Sequence, residues 1–413
     1  MGPWWRAKTG LREVELMRQA CPSAFGCCSM MDNTRETSKG APGSNSQNLL
    51  VFVGDWLPVH PVDVGLLFGE SAATVGNLEC ALSKRPPSAT KAYSVVLSMD
   101  AVETVAQAGF AALNLANNHV CDAGYEAFQD MVDMLKADKV STTQYYGTCE
   151  QPHAELVVGG LRCAIIGCLE PSRSRGRLLF PQEGVCSLIR ELGRNFDRIY
   201  ITPHWGKEGE YAYHPSPAQR RLAREWLGAG VHGVYGHHTH TMQGMEKAGD
   251  GAVVYSLGNF SFPHEEGKRF PLTNVGLSAS ISPRDNQCHM AFTRFDDDGK
   301  ITELLGTCRE ILLEHIQNLS RDLMRMDGLK GYWRWACAIG PTYIEKTSKS
   351  WGVRVRKNWK SQLPLWLLWS FLPKTLLLRA AMLAGNDTAR KNAMACVNRI
   401  ASWSDRPCRQ IDI

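Results

Sequence analysis

From residue 48 onward the chain alternates short apolar runs with amphipathic stretches. Residues 49–54, 73–77, 112–114, 161–167, 199–202, 233–235 and 252–256 are apolar runs of strand length, each ending near a polar or glycine-containing loop. Between them, residues 101–109, 125–137 and 216–228 carry apolar side chains at helical spacing, the last with Pro217 at a first-turn position. Strands and helices interleaved in this way predict an α/β fold. Residues 276–282 and 289–295 predict a closing antiparallel pair. The turn just after that pair, Asp296-Asp297-Asp298-Gly299, reads as a plain hairpin loop rather than a calcium site.

The two ends depart from this pattern. Residues 30–47 are rich in Ser, Asn, Gly, Thr and Lys, the composition of a solvated leader. Beyond Cys308 the chain turns helical and tryptophan-bearing, with Trp333, Trp335, Trp351, Trp359, Trp366 and Trp369 close together. The chain thus divides into three segments: a disordered leader over 1–47, an α/β domain over 48–308, and a helical, basic, Trp-rich region over 309–413. Within the last, residues 346–360 are basic and 363–372 apolar, a pairing that suits either a lipid headgroup boundary or a helix packed on the main domain.

Composition narrows the classes. An apolar fraction of 44% over 413 residues supports a real core, and a formal charge of +5 does not by itself call for nucleic acid. The 14 cysteines show no paired metal-ligand or redox spacing, which favours a reducing compartment. Transmembrane helices need about eighteen uncharged apolar residues, and the nearest approach, 363–383, is interrupted by Lys374 and Arg379. With no signal-peptide run before Lys8, the expectation is a cytoplasmic protein, peripheral to the membrane if residues 346–372 contact lipid.

The chemistry lies at the carboxyl ends of the predicted strands, the edge where open α/β sheets gather ligands. Gly54-Asp55 ends the first run. Gly76-Asn77-Leu78-Glu79 offers an amide and a carboxylate one residue apart. Asn114 to His119 brings amides and an imidazole, followed by Asp122 and Gly124. His204 closes the 199–202 run, and Gly236-His237-His238-Thr239-His240 is expected to be extended, with His238 and His240 on one face and His237 on the other. Imidazole and carboxylate together suit zinc, manganese or iron, whereas calcium favours oxygen alone.

These motifs, with His204-Trp205-Gly206 and Tyr255-Ser256-Leu257-Gly258-Asn259-Phe260, occur in the order of the bacterial capsule (poly-γ-glutamate) synthesis family, which the chain resembles over 48–295 and which is similar to the calcineurin-like metallophosphatases. The resemblance implies a four-layer αββα sandwich with a metal site at one edge. It further implies Asp55, Glu79, Asn118, His204, His238 and His240 as ligands of two divalent cations (Mn, Fe or Zn), Glu79 bridging, and His119 as the acid that protonates a leaving group or holds the substrate oxyanion. Ser256 and Asn259 are read as hydrogen-bonding supports. Glu208 and Glu210 stand where the family carries an acidic residue, either contacting substrate or solvated. The implied activity is hydrolysis of a phosphoester or a γ-glutamyl amide; the alternative is a non-enzymatic accessory of a polymer synthase or export complex. Expected partners are an anionic polymer or phosphoester and a membrane surface, with no nucleic acid. Two departures stand out: Leu57 replaces the second ligand of the metallophosphatase Asp-x-His, and Pro58 and His60 replace a Met and an Arg, so that His60 is a candidate substitute for a lost group.

Overall fold

The computed structural model describes residues 49–87, 94–137, 141–170, 178–206, 211–248, 251–263 and 272–323. The expected leader, the Trp-rich segment with its basic and apolar stretches, and Glu208 and Glu210 lie outside the described residues. In chain order the strands are β1 (Leu50–Trp56), β2 (Ala73–Leu78), β3 (Ala81–Leu82), β4 (Val96–Leu97), β5 (Ala112–Asn114), β6 (Gln144–Tyr146), β7 (His153–Val158) and β8 (Leu161–Leu169). They continue as β9 (Arg198–His204), β10 (Gly233–Tyr235), β11 (Met245–Ala248), β12 (Gly251–Val254), β13 (Asn259–Ser261), β14 (Val275–Ile281), β15 (Cys288–Phe295) and β16 (Ile301–Glu303). The helices are α1 (Val64–Phe68), α2 (Ala101–Gln107), α3 (Tyr125–Ala137), α4 (Val185–Leu192), α5 (Pro217–Gly228) and α6 (Gly306–Leu323).

Two sheets stack face to face. One runs β16-β15-β14-β1-β2-β5-β6, with β13 also paired to β1; the other runs β11-β12-β10-β9-β8-β7. Within them β1-β2-β5-β6 and β8-β9-β10-β12 are parallel, so their carboxyl ends gather along one edge of each sheet. Three apolar clusters fill the layers. Leu50 and Phe52 of β1 meet Tyr200 of β9 and Tyr235 of β10 between the sheets, with the Phe52 and Tyr235 rings stacked 4.0 Å apart. Val51 and Val53 face the other way, onto Val105 of α2 and Phe128, Met131 and Leu135 of α3. On the far side Ile166, Ile199 and Ile201 pack against Ile189 of α4 and Trp226 of α5. The order helix, sheet, sheet, helix is the four-layer αββα sandwich.

Burial on both faces explains why β1 and β8 read as nearly continuous apolar runs instead of alternating ones. Helix α5 starts where the sequence placed it. Ser216 caps it, accepting from the Gln219 N–H while the Gln219 side chain accepts from the Ser216 N–H, and Pro217 occupies the first turn. The boundary expected at 308 falls inside α6, whose Leu312, Ile316 and Leu319 belong to the inter-sheet cluster. The acidic turn after β15 is a hairpin: Asp296 Oδ1 accepts from the N–H groups of Asp298 and Lys300.

One irregularity in β1 decides where Asp55 points. Phe52 pairs with Val75 and Asp55 with Asn77, so β1 carries one residue more than β2 across this stretch. In a regular strand, Asp55 would share the face of Val51 and Val53 and look outward at α2 and α3. The bulge reverses the sense, placing Asp55 on the inter-sheet side and Trp56 in the outer cluster. Gly54 sits in the bulge, and a Cβ there would come within 2.0 Å of the Gly258 carbonyl oxygen, where the segment after β12 crosses from the second sheet to β13. Gly236 makes the matching approach to the Tyr255 carbonyl oxygen at the other end of that crossing, also at 2.0 Å. Replacing Gly54 by Ala is therefore expected to lower stability by about 1–3 kcal/mol, the usual cost of overpacking; an unchanged urea midpoint would contradict the close approach.

Candidate metal centre

Strand register lines up the polar residues before any side chain is considered. Across the first sheet Asn259 pairs with Asp55, Asp55 with Asn77, Asn77 with Asn114, and Asn114 with Tyr146. In the second sheet Leu169 pairs with His204, which bridges to His237. The two rows face each other and are stitched together: Asn114 Nδ2 donates to the Thr202 carbonyl at 3.0 Å, and the Tyr146 hydroxyl lies 2.9 Å from Thr202 Oγ1. Gly147 and Gly167 leave the space that the Asn114 amide occupies, since a Cβ at either would stand 2.3 Å from its Oδ1.

Asp55 is the buried centre of this arrangement. Its Oδ1 accepts from Asn77 Nδ2 at 2.8 Å and from His237 Nδ1 at 2.9 Å; its Oδ2 accepts from the His238 backbone N–H at 3.1 Å and lies 3.6 Å from His240 Nδ1. Burial alone would raise its pKa, but the hydrogen bond from His237 and the nearby His237, His240 and His204 outweigh that and hold the carboxyl far below the usual range. Asp55 is an ionised carboxylate in the interior.

The remaining donors surround Glu79, just beyond β2. His204 Nε2 lies 3.5 Å and His240 Nε2 3.8 Å from Glu79 Oε1. Two triads result, Glu79–His204–His238 and Asp55–Glu79–His240, each with its ligand atoms within 4.8 Å of one another and all residues buried. Asn118 adds an oxygen to the first, its Oδ1 standing 2.6 Å from His204 Nε2, and is itself part-exposed, so the cluster opens on that side. Burial, followed by the neighbouring His238, pushes the His204 pKa well down against the opposing effect of Asp55, which keeps the imidazole neutral and its lone pair available. Asn259 Nδ2 donates to the Thr273 carbonyl, leaving Oδ1 to accept from His240 Nδ1 at 2.8 Å; the Nε2 of His240 is thereby free to ligate. The Phe262 and Tyr211 rings flank that imidazole at 4.8 and 5.6 Å. Buried imidazoles and carboxylates, converging with an amide oxygen, fit a divalent cation of the zinc, manganese or iron class.

The loop after β5 is built by its amides. Asn117 donates through Nδ2 to the Leu78 carbonyl at 2.7 Å, while its Oδ1 accepts from the His119 and Val120 N–H groups. His119 follows directly after Asn118 and is buried, with its Nδ1 2.7 Å from Asp122 Oδ2; Asp122 also accepts from the Val95 N–H. His204 is held from behind by Trp205, whose indole N–H donates to the Tyr255 carbonyl at 2.9 Å and whose ring stacks on Trp226. Ser256 Oγ accepts from the Gly258 N–H and supports the crossing segment.

Two sequence expectations need correcting. Residues 237–240 are not extended: His238 and His240 have φ of 95° and 56°, so the loop coils and turns His237 toward Asp55 instead of away from the site. A period-two reading cannot see a turn of this kind; three histidines after Gly236 were the available signal. His60 is exposed and belongs to neither triad, so it does not replace a lost ligand, and Leu57 is buried among apolar neighbours.

The sequence profile described as "Bacterial capsule synthesis protein PGA_cap" matches residues 56–264, half of the chain, a span that holds Glu79, Asn118, His119, His204, His238 and His240 and begins one residue past Asp55. The chain is 33% identical over 180 residues to the capsule biosynthesis protein CapA of Bacillus anthracis, covering 40% of this chain and 43% of that one. It is 27% identical over 209 residues to the PGA biosynthesis protein CapA of Bacillus subtilis (strain 168), covering 48% and 54%. The matches thus span about half the length of each curated relative. Among solved structures, a phosphatase from Mycoplasma pneumoniae aligns with a TM-score of 0.40 at 14% identity, covering 66% of this chain and 98% of that one. A 5'-nucleotidase precursor from Thermus thermophilus aligns with a TM-score of 0.35 at 15% identity, covering 68% and 59%. With half its length matched by one family profile and that profile's span carrying the donors gathered around Glu79, the chain belongs to the bacterial capsule synthesis protein family.

Proposed function

We propose that the protein is a metal-dependent hydrolase of capsule or poly-γ-glutamate synthesis, acting on a phosphoester or a γ-glutamyl amide bond of an anionic polymer or its precursor. The observation that carries the reading is the pair of buried donor triads sharing Glu79. Asp55, Glu79 and His240 would hold one cation, and Glu79, His204 and His238, with Asn118 beside them, a second. Divalent cations at such a site supply Lewis acidity toward a phosphoryl or acyl oxygen and ease the deprotonation of water. The protein's own residues do the rest. Asp122, a buried acceptor, fixes the His119 proton on Nδ1 and leaves Nε2 to carry the proton delivered to a leaving group. Asn117 holds the His119 backbone, and Asn77 ties Asp55 to the loop that bears Asn118.

One observation favours a second reading. Leu57 fills with apolar bulk the position where the metallophosphatases that the chain resembles carry a first-strand ligand. A non-enzymatic accessory, binding polymer within a synthesis or export complex and meeting the membrane through its C-terminal region, would tolerate that loss. Among the described residues no helix is long and apolar enough to cross a membrane.

Three measurements separate the readings. Elemental analysis of purified protein should return manganese, iron or zinc, and Glu79→Gln, which removes the shared ligand, should lose most of it; full metal content in that variant would contradict the site. A panel of phosphoesters and γ-glutamyl peptides should show turnover that a chelator abolishes. His119→Ala should reduce that turnover by about 10²–10⁴-fold, the range of a lost general acid, with metal content retained; polymer binding without chelator-sensitive turnover would leave the accessory reading standing.

A further inference from the structure

We propose that His237 is a positioning residue for the metal site: it donates to Asp55 from the second sheet and so fixes which carboxylate oxygen is turned toward the cation. The inference rests on the metal-centre reading above. Its starting point is an asymmetry. Asp55 is the one residue of β1 in either donor triad, Leu57 being apolar, and none of the partners of its carboxylate lies on that strand. The carboxylate is instead held by partners on other elements: Asn77 on β2, and the loop after β10.

The division between the two oxygens gives His237 its role. Oδ1 takes both side-chain hydrogen bonds, from Asn77 Nδ2 at 2.8 Å and His237 Nδ1 at 2.9 Å. Among the described residues Oδ2 takes only the His238 backbone N–H, at 3.1 Å, and is the oxygen that faces His240 of its triad. His240 Nδ1 is committed to Asn259 and does not compete for it. His237 is in neither triad, yet it is buried and its backbone is pinned, its N–H donating to the Pro203 carbonyl at 3.0 Å beside the bridge to His204. Metal-ligating histidines commonly lean on a carboxylate behind them; here a ligating carboxylate leans on a histidine. The same contact ties β1 of one sheet to the loop of the other, so the donors of both sheets keep their spacing.

The test is calorimetric titration of the full chain with Mn²⁺, comparing the wild type with His237→Asn, whose amide nitrogen stands in for Nδ1, and His237→Phe, which fills the space without a donor. The expected result is near wild-type affinity for H237N and a loss of about tenfold or more for H237F, the usual effect of removing a hydrogen bond behind a ligand. Should far-UV circular dichroism show H237F unfolded, H237L takes its place. Wild-type affinity in the donor-free variant overturns the proposal, as does H237N binding as weakly as H237F. A wild-type protein that binds no Mn²⁺ at all removes the metal-centre reading and this inference with it, an outcome distinct from either of those two.

Discussion

The structure depends on one buried charge, the Asp55 carboxylate, and on the need to match it with donors. An unpaired carboxylate in an apolar interior costs several kcal/mol, and this one is met from both sheets: by Asn77 beside it, and by His237 and the His238 backbone opposite. The bulge in β1 is what makes the meeting possible, because it turns Asp55 from the helix-facing side to the inter-sheet side. Gly54 and Gly236 then let the segment 255–258 pass close by, from β12 to β13, bringing Asn259 alongside Asp55 and behind His240. The ligand cluster is thus a consequence of how two mixed sheets lock at the carboxyl ends of their parallel strands.

Much of this was legible in the sequence, and the reason lies in burial. Strands covered on both faces leave continuous apolar runs, so β1, β2, β5, β8, β9, β10 and β12 stood out, with helices α2, α3 and α5 between them. Edge strands did not. β7 carries an exposed Val157 and Glu155 on a half-solvated strand, and Gln144 of β6 closes that edge through its side chain, pairing with the Glu155 backbone. Neither strand leaves a hydrophobic pattern. The short β11, β13 and β16 and the helix α4 escaped for the same lack of a long periodic signal.

At the site, residue type and order revealed the donors, but their geometry had no sequence signature. The bulge depends on a pairing offset between β1 and β2, and the role of His237 depends on left-handed backbone at His238 and His240. Neither is local information. Asn114 shows the converse: it reads as one more polar residue at a strand end, yet its amide serves the join between the sheets, bonding to Thr202 just ahead of His204. Leu57 is buried and apolar, and the Asp55 carboxylate is held from β2 and from the loop after β10.

The most direct measurement is anomalous X-ray diffraction from crystals grown with Mn²⁺. The account predicts anomalous peaks bounded by Asp55, Glu79 and His240 on one side and by Glu79, Asn118, His204 and His238 on the other. Peaks confined to surface carboxylates such as the Asp296–Asp298 turn, with nothing beside Glu79, would contradict it.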